Sequence, residues 1–328
     1  MSAPNPSHED VPWTPKTGML TYLPLPWLPY AELMRLHRPV GIMSVFFPYL
    51  FGSLVAACVS LPTIKPRWLL ARCTYLFIAA FILRSAGCTW NDIADRDLDR
   101  LVVRTRLRPM ARRAISLFAA YLFTAAQVAI WLGLLSQMLP RSWLLYAAPL
   151  LFLVWLYPFA KRFTDFAQIV LGVTLGWGVL IGAAAIGSDI LAMGASDQHT
   201  GLLGLYLIYV VCSVIHDTVY AHQDVRDDMK AGIGSMAVRW LHSTKPFLWT
   251  FAVAQVGLLW AVGGCMRAGM WYYCIAVGEN GTVLSAMISQ LDLSDSRSCL
   301  WWFQTGSLLI GGSISVGLLG EYFARLRI

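Results

Sequence analysis

The sequence predicts an all-α membrane protein, a polytopic bundle of about nine transmembrane helices, on three observations. Hydrophobic residues make up 57% of the 328, charged residues only 13%, and mean hydropathy is +0.59; a soluble domain carries roughly a quarter charged residues. Apolar runs of about 20 residues, the length that crosses a bilayer, recur along the whole chain. The stretches between them are too short for a further domain.

In chain order, residues 1–28 read as a flexible, Pro-rich N-terminal head, followed by a single transmembrane domain over 29–328. From Tyr30 to Arg38 the pattern fits an interfacial amphipathic helix stopped by Pro39. Apolar segments follow at 40–60, 68–90, 114–138, 143–160, 167–187, 202–220, 246–266, 268–290 and 301–319. The eighth carries Glu279 and Asn280 in its middle, and the sequon Asn280-Gly281-Thr282 there lies inside an apolar run. The loop from Ser188 to Thr200 has no Lys or Arg and fits an exoplasmic hairpin.

The net charge of +7 is a topology signal rather than a nucleic-acid footprint. With the N-terminus in the cytoplasm, the segments before span 1 and after spans 2, 4, 6 and 8 hold 17 of the 25 Lys and Arg, as the positive-inside rule requires. Seven lie in one loop: Arg96, Arg100, Arg104, Arg106, Arg108, Arg112 and Arg113. No nucleic-acid partner and no obligate protein partner is expected, only membrane lipid. Seven cysteines without paired spacing and six histidines without H-x-x-x-H give no support for zinc, haem attachment or a disulfide framework. The N-terminal stretch has neither an apolar signal core nor an Arg-rich transit pattern. The expected location is the endoplasmic reticulum or Golgi, with the first span as insertion signal.

Two clusters concentrate eight of the eighteen carboxylates. One runs from Asn91 to Asp99 and the other from Asp217 to Asp228, each directly after an apolar run. Carboxylates there are costly without a cationic partner, which makes them functional candidates. Asp92, Asp95 and Asp99 fall at i, i+3, i+7 and share a helical face, with Asn91 at its edge. Asp217, Tyr220, Asp224 and Asp228 fall at i, i+3, i+7, i+11 and share another. Asp97 and Asp227 lie off these faces and read as solvated or salt-bridged. Stacked carboxylates repel unless a divalent cation sits between them, and Mg²⁺ prefers one or two carboxylates completed by phosphate oxygens and water. The candidate Mg²⁺ ligands are therefore Asp92, Asp95, Asp99, Asp217, Asp224 and Asp228. One cluster alone fits a charged helix end that marks topology; the two together point to an enzyme that ionises a prenyl diphosphate.

Basic partners for the diphosphate lie close by in sequence. They are Arg104 and Arg108 after the first cluster, Lys161 and Arg162 behind Tyr157-Pro158, and Arg35 and Arg38 before span 1. Bidentate arginines and a point-charge lysine would stabilise the leaving group as the C–O bond breaks. Lys161 is placed in catalysis beside Asp92, Asp95, Asp224 and Asp228, and Asn91 and Tyr220 join the diphosphate set. A prenyl cation also needs an apolar pocket with aromatic faces; Trp90, Tyr157, Trp177 and Tyr220 are near the clusters.

At these residues the chain resembles the UbiA superfamily of intramembrane aromatic prenyltransferases. The motif N-D-x-x-D-x-x-x-D is present as Asn91, Asp92, Asp95 and Asp99, and R-T-x-x-R-P as Arg104, Thr105, Arg108 and Pro109. Its second motif is present as Asp217, Thr218, Tyr220, Ala221, Asp224 and Asp228, followed by Gly232 and Ser235. Y-P-x-x-K-R-x-T is present as Tyr157, Pro158, Lys161, Arg162 and Thr164, and a basic stretch from Leu33 to Gly41 precedes span 1. The match runs in order over about 30–240. The resemblance implies helices around a central cavity with the Asp motifs at its cytoplasmic mouth. It also implies Mg²⁺ as cofactor, a prenyl diphosphate as donor and a small aromatic acceptor attacked at carbon.

Departures bear on the acceptor. Met110-Ala111-Arg112-Arg113 stands where a Gly-containing turn is common, Ala167 where Pro is usual, and His216 where ubiquinone enzymes commonly have Tyr. With Arg35-Leu36-His37-Arg38-Pro39 and Phe47-Pro48-Tyr49-Leu50-Phe51-Gly52, these features look more like the fungal meroterpenoid transferases. Those attach a prenyl chain, often farnesyl, to a polyketide-derived phenol or phenolic acid. Three competitors ranked lower are a 4-hydroxybenzoate polyprenyltransferase, a UbiA-type terpene cyclase and an ion transporter, the last disfavoured because the carboxylates sit at span ends.

Overall fold

The computed structural model describes residues 18–60, 63–102, 104–191, 197–232 and 234–326, and all its regular structure is helical. After two short 3₁₀ turns, helix α1 covers Leu28–Leu33. The long helices are α2 (Val40–Val59), α3 (Pro66–Ala94), α4 (Leu117–Met138), α5 (Trp143–Ala160), α6 (Ala167–Ala185) and α7 (Asp197–Ala221). Two short helices, α8 (Val225–Ala231) and α9 (Met236–Arg239), precede α10 (Thr244–Met266). A π-helical stretch over Tyr272–Glu279 runs into α11 (Asn280–Gln290), and α12 (Ser296–Leu326) closes the chain.

The ends follow local chemistry. Pro66 opens α3, where a missing N–H costs nothing. Ser116 caps α4 by accepting from the Ala119 N–H, and Ser235 caps α9 through Val238. Gly232 ends α8 in the left-handed conformation, φ 67°.

Eight helices are long and apolar enough to cross a membrane. The ninth expected segment, 268–290, is helical without a break from 270 to 290 but changes its winding, π over Tyr272–Glu279 and α over Asn280–Gln290. Buried Asn280 lies at their junction, donating to Ile310 O and Ser313 Oγ at 3.3 Å and accepting from Gln255 at 3.0 Å. These neighbours satisfy a polar group that lipid could not. Large apolar side chains such as Phe118, Leu122, Phe152, Val253, Trp260 and Val316 point outward. The chain is an integral membrane protein.

Helices α2 and α6 form the spine, contributing to both main apolar clusters. They touch through glycine. A Cβ on Gly52 would lie 1.9 Å from the Val179 carbonyl oxygen, and one on Gly182 2.0 Å from that of Tyr49. Ser53 Oγ donates across the contact to Gly182 O at 3.1 Å. Association in lipid depends on such close packing and interhelical hydrogen bonds. Arg325 makes a further tie, donating to Glu321 Oε1, Cys58 O and Met266 O at 2.7, 3.0 and 2.6 Å.

Two expectations fall partly on residues outside those described: 1–17 of the N-terminal head and 192–196 of the loop from Ser188 to Thr200. From the described part of the head, Leu20 and Leu28 pack with Ala31. The expected interfacial helix to Arg38 is shorter than the pattern suggested. It stops at Leu33, and Arg35 adopts φ 57°.

Candidate functional site

A cavity of about 430 Å³ opens between α2, α3, α5, α6, α7 and α12. One part is apolar, lined by Phe47, Phe51, Leu83, Leu150, Val154, Leu171 and Ile314. Elsewhere its wall carries six cationic side chains (Arg35, Arg38, Arg84, Arg104, Arg108, Lys161) and five carboxylates (Asp95, Asp99, Asp217, Asp224, Asp228). Both acidic clusters, whose first carboxylates Asp92 and Asp217 are 125 positions apart, thus contribute to one space.

The first cluster ends a helix. Asn91 and Asp92 occupy the last turn of α3, Asp95 is its C-cap, and the Asp99 N–H donates to Asp95 O at 2.8 Å, continuing the winding. Asn91 donates to Asp95 Oδ2 at 3.3 Å, while buried Asp95 Oδ1 has no hydrogen-bond partner. Arg108 grips Asp99 at 2.9 and 3.0 Å. Burial pushes the Asp95 and Asp99 carboxyls up, although Lys161 acts against this at Asp95 and Arg108 at Asp99.

Asp92 differs from its expected place. It is fully buried and does not line the cavity; Arg35 grips it at 2.9 and 2.5 Å, and Arg108 lies 3.4 Å away. Burial opposes the charge on Arg35, but Asp92 outweighs it and holds the guanidinium above the ordinary arginine range. The left-handed backbone at Arg35, costly for a residue with a Cβ, ends α1 where this contact is made.

The second cluster is not one continuous face. Helix α7 stops at Ala221, and Asp224 is the N-cap residue of α8, so Asp217 and Tyr220 belong to one helix and Asp228 to the next. The break still leaves all four on the cavity wall. Arg104 donates to Asp224 through Nε at 2.8 Å and Nη2 at 2.5 Å, and to the Tyr220 hydroxyl at 2.8 Å. The Asp228 carboxyl is pushed up to about 6, by burial first and by Asp224 second.

The remaining candidates divide. Lys161 lines the cavity and, among the described residues, makes no hydrogen bond or ion pair. Arg162 does not line it; its Nη2 donates to Ala94 O at 2.6 Å and stands 4.0 Å from Asp95. Asp97 pairs with Arg96 and Arg100 on the surface. Tyr157 and Tyr220 line the cavity, whereas Trp90 and Trp177 spend their N–H groups on Trp155 O and Tyr146 O. Nothing in the sequence pointed to Arg84 on α3, for whose guanidinium Gly41 leaves room. Nor did it point to Phe303, Gln304 and Ser307 of α12, which lie in a part of the chain with no charged motif.

Among the described residues no three His, Cys, Asp or Glu side chains converge as a ready chelate. Asp92, Asp99 and Asp224 are held by arginines instead. The donor set nevertheless fits a hard, oxygen-seeking ion: carboxylates on two opposed segments, one with a buried oxygen at Asp95 that makes no hydrogen bond.

A model described as the UbiA prenyltransferase family matches residues 45–309. The chain belongs to that family. Among its relatives, the DMOA farnesyltransferase nvfB of Aspergillus novofumigatus is 37% identical over 94% of this chain and 95% of its own. The mitochondrial 4-hydroxybenzoate polyprenyltransferase of Saccharomyces cerevisiae is 34% identical over 93% and 79%. A solved UbiA homolog from Archaeoglobus fulgidus bound to DMAPP and Mg²⁺ superimposes with a TM-score of 0.62 at 18% identity, covering 91% of this chain and 99% of its own. This likeness places the chain in the UbiA fold.

Proposed function

We propose that this protein transfers a prenyl group, farnesyl in the reading favoured here, from its diphosphate to an aromatic carbon of a polyketide-derived phenol or phenolic acid. The observation that carries the reading is the single cavity in which both Asp segments and six cations meet an apolar wall. The apolar part suits a prenyl chain, and the charged part suits a diphosphate with its counter-ions. The relative nvfB supports farnesyl as donor, and the A. fulgidus homolog supports a metal–diphosphate complex.

Asp95, Asp99, Asp217, Asp224 and Asp228 would hold Mg²⁺, with Asp92 joining only if Arg35 releases it. When bound, Mg²⁺ supplies positive charge that neutralises the diphosphate as a leaving group. Arg104 and Arg108 then donate to phosphate oxygens, and Lys161 adds a point charge. Arg38, whose own pKa is lowered by burial and by Arg104, makes the mouth more attractive to an anion. Tyr220 and Phe303, with ring centroids 4.5 Å apart, and Tyr157 offer π faces to the allylic carbon as the C–O bond opens. The aromatic acceptor attacks that carbon, the C–C bond forms, and the ring C–H proton leaves to restore aromaticity.

By its basic loops the cavity mouth faces the cytoplasm, in the endoplasmic reticulum or Golgi. The test is an assay on membranes expressing the chain, with Mg²⁺, prenyl diphosphates of C10 to C20 and longer, an orsellinic-acid-type acceptor and 4-hydroxybenzoate, read by mass spectrometry. A farnesylated polyketide phenol is the expected product. Prenylated 4-hydroxybenzoate alone would move the chain to quinone synthesis, and a cyclic terpene without an aromatic adduct would make it a cyclase.

A further inference from the structure

His216 lines the cavity yet takes no part in the chemistry above. It is 4% exposed, and its Nδ1 lies 2.8 Å from the carbonyl oxygen of Cys212, one turn earlier on α7. A carbonyl can only accept, so Nδ1 carries the hydrogen and Nε2 of the neutral ring keeps its lone pair. By geometry Nε2 completes no hydrogen bond, the nearby Gly306 carbonyl lying outside hydrogen-bond geometry. Across from it, α12 presents Gly306, where a Cβ would lie 3.6 Å from Nε2. A buried acceptor atom is costly to leave unpaired, and here it borders a space meant for reactants.

The chemistry of the reactants selects its partner. A prenyl chain has no hydrogen-bond donor, a metal-bound diphosphate offers only acceptors, and Mg²⁺ prefers oxygen to imidazole. A phenol does carry an O–H. We infer that Nε2 of His216 accepts a hydrogen bond from a ring hydroxyl of the aromatic substrate and so fixes which carbon faces the allylic group. This inference rests on the transfer reading above.

The experiment compares wild type, His216→Phe and His216→Gln in membranes, with a phenolic acceptor and its O-methyl ether. Binding of labelled farnesyl diphosphate with Mg²⁺ serves as the control for folding. His216→Phe is expected to raise KM for the phenol about tenfold, leaving farnesyl diphosphate binding unchanged. His216→Gln, whose amide oxygen can accept, should recover most of that loss. The wild type should lose a similar factor on the O-methyl ether, and His216→Phe no more. Should His216→Phe fail to bind farnesyl diphosphate, the comparison stands on the ether and on His216→Gln. An unchanged KM for the phenol in His216→Phe, or equal use of phenol and ether by the wild type, overturns the assignment of His216 alone. A wild type that binds farnesyl diphosphate but prenylates no aromatic overturns the transfer reading, and this inference with it.

Discussion

Arg104 and Asp224 join the two acidic segments of the chain. The guanidinium makes contacts of 2.8, 3.0 and 2.5 Å with the two carboxylate oxygens, across 120 residues of sequence, in a pair only 26% and 13% exposed. Removing one partner strands the other charge, a larger cost than losing the pair. Arg104→Ala and Asp224→Ala should each lower thermal stability in detergent. The double variant should be more stable than additivity implies, with a coupling on the order of 1–3 kcal/mol. Arg104→Ala should also weaken labelled farnesyl diphosphate binding. Strictly additive effects would show that the bridge contributes nothing.

Asp95 carries the signature of a group held for function at the expense of stability. Its Oδ1 is buried without a hydrogen bond, the Arg162 guanidinium standing off at 4.0 Å, and burial raises its pKa. An amide removes the charge and can still accept from Asn91. Asp95→Asn should therefore raise the melting temperature of the ligand-free protein by roughly 1–2 °C, the shift about 1 kcal/mol produces in a chain of this length, and abolish turnover. An active or destabilised Asp95→Asn would contradict the role given to this carboxylate.

Much of this architecture was legible because membrane physics writes it plainly. Eight apolar runs became spanning helices, and the Asp spacing located residues that converge on one cavity. What periodicity missed are the points where the backbone departs from an α-helix: the left-handed Arg35, the break between Ala221 and Val225, and the π-helical stretch before Asn280. Each depends on a distant partner or a local kink that spacing alone does not encode. Asp92 and Asp95, three residues apart, looked equivalent by motif. Only the reach of Arg35 from the N-terminal segment separates them. Phe303 and Gly306 gave no signal, because an apolar helix that lines a cavity reads like one that faces lipid.

His222 gives a pH dependence with a definite sign. It is buried, its Nε2 lies 3.1 Å from Thr244 Oγ1, and burial lowers its pKa to about 4. The unfolded chain, with a histidine near its ordinary value of 6.5, therefore binds more protons than the folded one between these limits. The stability this group contributes is full above pH 6.5 and is lost as pH falls toward 4. His222→Gln removes the titration. The melting temperature of the wild type should fall faster than that of His222→Gln between pH 7 and 5. Parallel curves would mean that His222 is not held neutral by the fold.

The glycine crossing of α2 and α6 sets the geometry on which the site depends. A methyl group at Gly182 would meet the Tyr49 carbonyl at 2.0 Å, and backbone cannot rotate aside as a flexible side chain can. Gly182→Ala must push the two helices apart, at an overpacking cost of about 1–3 kcal/mol. Phe47 and Tyr49 of α2 and Leu171 and Leu175 of α6 all line the cavity, so the shift should also lower turnover per folded molecule. Gly257 in α10 is the control: nothing lies within 4 Å of a Cβ there, and Gly257→Ala should be neutral or stabilising, as Ala is in a helix. Thermal unfolding and specific activity of the two variants, measured side by side, separate a packing effect from a general intolerance of substitution. Equal behaviour of Gly182→Ala and Gly257→Ala would remove the crossing as the determinant of cavity shape.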